Sequence, residues 1–210
     1  MTLTLILEAI IKDNELHAKW LNTLSYMENA GAKKISASEH KEDVSLIILK
    51  HAAEEHRHAY YLKKQLEKLE GGLCKTYKSH ELLTPNHTRF YLNALDIAVC
   101  RYLKQEFKLS GFDLKFAAYL FVTYAIEVRA DELYPVYQEV LTRAGSRVTV
   151  KSIILEEEGH LEEMLNQLKT FSPDWEHHAG IVVKIEEEMF HHWINQLGTA
   201  IATTFSGVIA

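Results

Sequence analysis

Two Glu-x-x-His triplets, Glu55 to His58 and Glu157 to His160, lie about a hundred residues apart in a chain of 210. Residues three apart share one face of an α-helix, so each triplet offers a carboxylate and an imidazole to a single metal ion. One further Glu precedes each: Glu28 by 27 residues and Glu127 by 30. Glu28, Glu55, His58, Glu127, Glu157 and His160 are therefore six candidate metal ligands. Four carboxylates on apolar faces repel one another and lose hydration unless cations meet them. Two divalent ions would set four positive charges against those four negative ones. Hard oxygen donors with one imidazole per metal suit iron or manganese. Such a set also leaves open coordination positions for dioxygen or peroxide.

With 12 His in the chain the spacing alone carries little weight. A third triplet, Glu188 to His191, straddles the edge of its apolar stripe and reads as a solvated face. For Glu188, His191 and His192 the sequence does not decide whether they have a site role. The other two triplets sit where core residues belong. The second helix has the stripe Ile48, Ala52, Glu55, His58/Ala59, Leu62, Leu66, Leu69, and the fifth has Ile153/Ile154, Glu157, His160/Leu161, Met164, Leu168. Glu28 follows His17, Leu21 and Leu24 on the first stripe and precedes Ala32 and Ile35. Glu127 lies on the stripe Ala117, Phe121, Tyr124, Glu127/Val128, Asp131, Tyr134. Separations of 27 and 30 residues suit antiparallel helix pairs with a turn midway, their arms on the order of 15 Å.

Several neighbours carry two readings. Tyr124, one turn before Glu127, is a packed aromatic or a phenol acting next to the ligands. Asp131, one turn after it, orients a ligand His or is solvated. His51 lines the site or is a hydrogen-bonded core His. Gly31 and Gly159, in helix interiors where Gly is disfavoured by about 1 kcal/mol, make room for substrate or let helices approach.

Only three prolines and nine glycines punctuate the chain, and apolar residues recur with helical period. The expected elements are a helix over 15–35, with an extension from Leu3, and a second to about Leu69 with Ser38 as N-cap. A loop over 73–86 follows, then a crossover helix over 88–107. Helices over 114–143, kinked after Pro135, and 149–170 complete a core bundle of about 15–170. A last helix spans 179–203. The 69 residues between His58 and Glu127 are too many for a hairpin and let the chain climb back along the bundle.

Composition narrows the classes. A net charge of −6 and no basic cluster argue against a nucleic-acid surface. Cys74 and Cys100 alone provide neither a disulfide framework nor a Cys-based metal site. The N-terminus lacks a basic region and the tail from Gly198 is too short for a span, so a cytoplasmic protein without a membrane span is expected.

Glu28, Glu55-x-x-His58, Glu127 and Glu157-x-x-His160 resemble the ferritin-like di-iron carboxylate superfamily over about residues 15–170. The resemblance implies an all-α, ferritin-like four-helix bundle as a single domain, with an extra helix in its long crossover and another at the C-terminus. It implies Glu28 and Glu127 as terminal ligands, Glu55 and Glu157 as bridges, and one His per metal. Its cofactor would be two iron ions, or manganese or a mixed pair. The absence of a Cys-x-x-Cys rubredoxin module sets the chain apart from rubrerythrins, and the second Glu-x-x-His from storage ferritins. Bacterioferritin-like chains have both triplets but a shorter crossover.

The function implied first is a di-iron oxidase or oxygenase that activates dioxygen against a small, apolar organic substrate. It needs an external electron donor and is compatible with a homodimer. The two extra helices would shape a pocket beside the metals, lined by residues such as Phe121, Tyr124 and Leu24. Iron storage or peroxide detoxification in a hollow oligomer is the alternative. A helical interaction protein without chemistry is the third.

Overall fold

Few breakers interrupt the chain, and where they are absent it is helical. The computed structural model describes residues 1–206, and of these all side chains but those of Glu158, Phe205 and Ser206. Among the described residues there are seven α-helices, one 3-10 turn (Ser79–Glu81) and no strand: α1 (Leu3–Lys12), α2 (Asn14–Ser38), α3 (Leu46–Leu66), α4 (Pro85–Phe107), α5 (Gly111–Arg143), α6 (Lys151–Phe171) and α7 (Trp175–Ser206). The fold is all-α, as expected from the pattern. No single helix among the described residues is long and apolar enough to cross a membrane.

Helices α2 and α3 pack as one antiparallel pair, α5 and α6 as another. The N-terminal extension is a separate helix. Asp13 breaks it and then caps α2, its carboxylate accepting from the Leu16 N–H at 2.9 Å. Helix α1 buries Ile6, Leu7 and Ile10 against α2, α5 and α7. Ser38 does not cap α3. The Ser36 and Ser38 hydroxyls donate back to the Ala32 and Ile35 carbonyls at 2.9 and 2.6 Å, so α2 runs on to Ser38 and α3 starts at Leu46. The turn over residues 39–45 lies midway between Glu28 and Glu55, as their spacing requires.

The second pair departs from that plan. Helix α5 continues through Pro135 to Arg143, just past the midpoint between Glu127 and Glu157, but α6 starts only at Lys151, so the two arms are unequal. Gly145, at φ +62°, ends it, and the Ser146 N–H returns to the Leu141 carbonyl at 3.0 Å. The chain then doubles back beside its own helix. Gln138 Oε1 accepts from the Val150 N–H at 2.8 Å and the Thr149 hydroxyl at 3.0 Å, which sets the start of α6 level with Gln138. Without this return strap Glu157 would lie far below Glu127.

The crossover helix α4 starts at Pro85, earlier than expected. Proline is suited to a first helical position because its missing N–H has no partner to lose there. Lys108, at φ 55°, then turns the chain by 119° into α5. Helices α4 and α7 pack together and against α5, covering the side of the bundle formed by α2 and α5. On α7 the buried stripe is Val182, Glu186, Phe190, Trp193 and Leu197, one residue off the expected Ile181, Ile185 and Met189 in its first half. The cause is Glu186. This buried carboxylate receives Arg129 at 2.8 Å and the Tyr91 hydroxyl at 2.6 Å, so a charge occupies a core position. Glu188, His191 and His192 are exposed.

Candidate metal centre

All six candidate ligands converge between the two helix pairs. Glu55, His58, Glu127, Glu157 and His160 are buried and Glu28 is half-buried. Donor atoms of Glu28, Glu55 and His58 lie within 4.8 Å of one another, and so do those of Glu55, Glu157 and His160. Glu55 belongs to both groups. Glu157 also spans them, with Oε1 3.1 Å from His58 Nδ1 and Oε2 3.1 Å from His160 Nδ1. Glu127 Oε2 reaches within 3.7 Å of His160 Nδ1.

Each imidazole is held from behind by a carboxylate on the opposite pair. His58, on α3, sets Nε2 3.0 Å from Glu156 Oε2 on α6. His160, on α6, sets Nε2 2.8 Å from Glu54 Oε2 on α3, a charge contact off the line of a hydrogen bond. Both rings thus turn Nδ1 inward. Buried carboxylate–histidine pairs of this kind orient metal-binding imidazoles and raise their basicity. Tyr134, buried one turn beyond Ala130 on α5, donates its hydroxyl to Glu28 Oε1.

Carboxylates outnumber the imidazoles that can carry positive charge at this centre. Burial pushes the Glu55 carboxyl well above the usual range, and neighbouring Glu28 pushes it further. Burial and then Glu157 do the same to Glu127. Burial opposes ionisation of Glu157 too, but contacts with Glu127, His160 and His58 outweigh it and hold this carboxyl low. Burial would likewise lower His160, yet Glu127 and Glu157 push it up to about 11. His58 Nδ1 is buried, with Glu157 Oε1 3.1 Å away but off the line of a hydrogen bond. Oxygen donors forced to share protons, between two imidazoles turned inward, fit a pair of divalent cations.

Tyr124 and Asp131 are not brought to this centre. Asp131 is exposed, and Tyr124 is half-buried against an apolar cluster, with no hydrogen bond among the described residues. Both lie three or four residues from Glu127, but the cavity beside the ligands is lined from α5 by Thr123, Glu127, Ala130 and Tyr134, which leaves 124 and 131 on the flanks of that face. His51 is a hydrogen-bonded core His, with Tyr119 at 2.8 Å and Glu163 at 3.0 Å. Glu54 and Glu156 were missed because a carboxylate beside a ligand in sequence looks solvated. The available signal was that each precedes a ligand Glu, one helical turn from the His of its own triplet.

A cavity of about 340 Å³ opens onto the centre from the α2, α4 and α5 side, reaching Glu28, Glu55, Glu127 and Tyr134. Its walls are mainly apolar, with Leu24, Leu95, Ile126 and Phe190 among them. Leu24 was expected there; Phe121 and Tyr124 are not part of it. Gly31 faces this space, and a Cβ on it would stand 3.7 Å from Glu55 Oε2. Gly159 is exposed with nothing beside it.

Comparisons of the chain with protein-family models, with curated proteins and with solved structures find no match. The ferritin-like resemblance rests on the ligand pattern.

Proposed function

We propose that the protein is a ferritin-like di-iron carboxylate oxidoreductase that activates dioxygen and oxidises a small apolar organic molecule held in the adjoining cavity. One observation carries this reading: six Glu and His donors converge, and a largely apolar cavity reaches three of them, Glu28, Glu55 and Glu127. Two ferrous ions, when bound, supply the redox chemistry. Glu28, Glu55 and His58 would hold one, and Glu55, Glu157 and His160 the other, with Glu127 beside the second. Manganese would suit the same donors.

The chain's own residues do the rest. Glu54 and Glu156 fix the His160 and His58 rings. The Tyr134 hydroxyl orients Glu28 and restrains this least buried of the carboxylates. The apolar walls exclude water and orient a carbon skeleton toward the ligands. Because this space is a pocket for an organic molecule, it favours oxidation over iron storage. Electrons must come from an external donor, since neither cysteine is placed to form a redox centre with the other residues of the site.

Anaerobic titration with ferrous iron, followed by dioxygen, tests the reading. About two irons per chain, rapid oxygen consumption and loss of both in Glu55→Ala are expected. A chain that binds no stoichiometric iron, or a Glu55→Ala variant with unchanged iron content, overturns it.

A further inference from the structure

The cavity is mainly apolar, and the charged side chains in its lining are few. Glu28, Glu55 and Glu127 mark the metal centre, part-way along a lining that runs on α5 from Lys115 to Tyr134. Lys34, Asp96 and Lys115 lie away from it. Lys34 is already engaged, 2.5 Å from Asp96 and 2.8 Å from the Leu92 carbonyl. Arg129, on the wall, is held by Glu186. Lys115 is exposed and has no ion pair or hydrogen bond among the described residues. It is the one cation lining the cavity that is left for a ligand.

We propose that the substrate is an aliphatic acid bound with its anionic head at Lys115 and its chain along the apolar walls toward Glu28, Glu55 and Glu127. This rests on the function proposed above and adds the substrate class. Lys115 precedes Glu127 by twelve residues on α5, or about 18 Å along the axis. An extended chain on the order of ten to fifteen bonds spans that distance.

The orientation follows from charge. Two divalent ions would balance the four ligand carboxylates without exceeding them, so the metal centre holds no surplus cation for an acid. Lys115 is the cation in the lining that is left to meet one.

Calorimetric titration of the full chain with sodium decanoate, decan-1-ol and decyltrimethylammonium, with and without bound iron, tests this. Decanoate is expected to bind more tightly than the other two. Lys115→Glu, an exposed change whose folding is checked by circular dichroism, is expected to weaken decanoate about tenfold and decan-1-ol by less than twofold. Lys115→Met is expected to fall between. Butyrate is expected to bind far more weakly than decanoate, by about fourfold per methylene lost. Equal binding of all three probes, no binding of decanoate, or an unchanged decanoate affinity in Lys115→Glu overturns the proposal. Binding to the iron-free chain is read separately from iron stoichiometry, so failure of the acid site and failure of the metal centre give different results.

Discussion

Replacing Glu54 and Glu156 by Gln, singly and together, tests whether the outer carboxylates hold the two imidazoles for metal. His160 Nε2 lies 2.8 Å from Glu54, and His58 Nε2 lies 3.0 Å from Glu156. Loss of such a partner typically weakens metal binding by 10- to 100-fold, or about 1.4–2.7 kcal/mol. Where each variant falls in that range follows from its surroundings. The Glu54 side chain is 15% exposed, whereas Glu156 is 31% exposed and shares its oxygen with Arg57 at 2.6 Å. Glu54→Gln is therefore expected near 100-fold and Glu156→Gln near 10-fold. The two act on different rings, so the double variant is expected near a thousandfold if their effects add. Gln keeps the shape and removes the charge, so folding should be unaffected. The assay is anaerobic competition for ferrous iron or cobalt against a chromophoric chelator. Affinities within twofold of wild type in both single variants would refute the reasoning. A larger loss in Glu156→Gln than in Glu54→Gln would refute the ranking.

Three further expectations concern stability. Glu186→Ala leaves the Arg129 guanidinium and the Tyr91 hydroxyl buried without their acceptor, at a cost of about 3–5 kcal/mol. At roughly 2–4 °C per kcal/mol for a chain of this size, its Tm should fall by about 6–20 °C. Replacing Arg129 and Glu186 together by Met should restore most of that loss, and failure to do so would assign the cost to packing. Glu55→Gln should stabilise the metal-free chain at neutral pH, read as a higher urea midpoint. Its folded pKa is raised, so its contribution is fully present below the unfolded value and is lost as pH rises, and the amide removes that loss. His17 is the opposite case: burial lowers it from 6.5 to about 4, and its Nε2 sits 2.7 Å from the Tyr137 hydroxyl. The neutral ring's stability is present above pH 6.5 and is lost as pH falls toward 4, by on the order of 3 kcal/mol in total. His17→Gln should flatten urea midpoints measured between pH 7 and 4.5; an unchanged slope would assign the acid loss elsewhere.

The ligand set was legible because it obeys helical periodicity in four helices, and periodicity is the part of a fold that sequence states directly. Glu28, Glu55, Glu127 and Glu157 stand at core positions on stripes that are otherwise apolar, an expensive choice without a purpose. What was illegible depends on partners from distant segments. The return strap before α6 depends on Gln138, whose side chain accepts from the Thr149 hydroxyl and the Val150 N–H, eleven and twelve residues away. Glu186 shifted the expected stripe of α7 because only the folded chain brings Arg129 to it. Glu54 looks like a solvated neighbour of Glu55 until α6 brings His160 against it. Tyr134 was placed on the right stripe, but nothing in its spacing marks a hydroxyl that meets Glu28.

The two sides of the centre are built for different tasks, and that division explains the extra helices. Between α3 and α6 the direct links are polar: Lys50 and His51 to Glu163, Arg57 and His58 to Glu156, His160 to Glu54. These pairs depend on charge and geometry together, so they fix the rings while leaving little apolar area to hold the helices closed. The opposite side is closed by apolar packing, through α4 and α7 and the stacked rings of Trp20, Trp193 and Tyr91. Packing there is not continuous to the ligands. Gly31 and Ala130 are small where α2 and α5 pass the centre, and both line the cavity there. A bundle of α2, α3, α5 and α6 alone would expose that space to water. With α4 laid across it, Tyr91, Leu92 and Leu95 close the wall opposite Glu28 and Glu127, and an apolar chain can lie beside the ligands out of water.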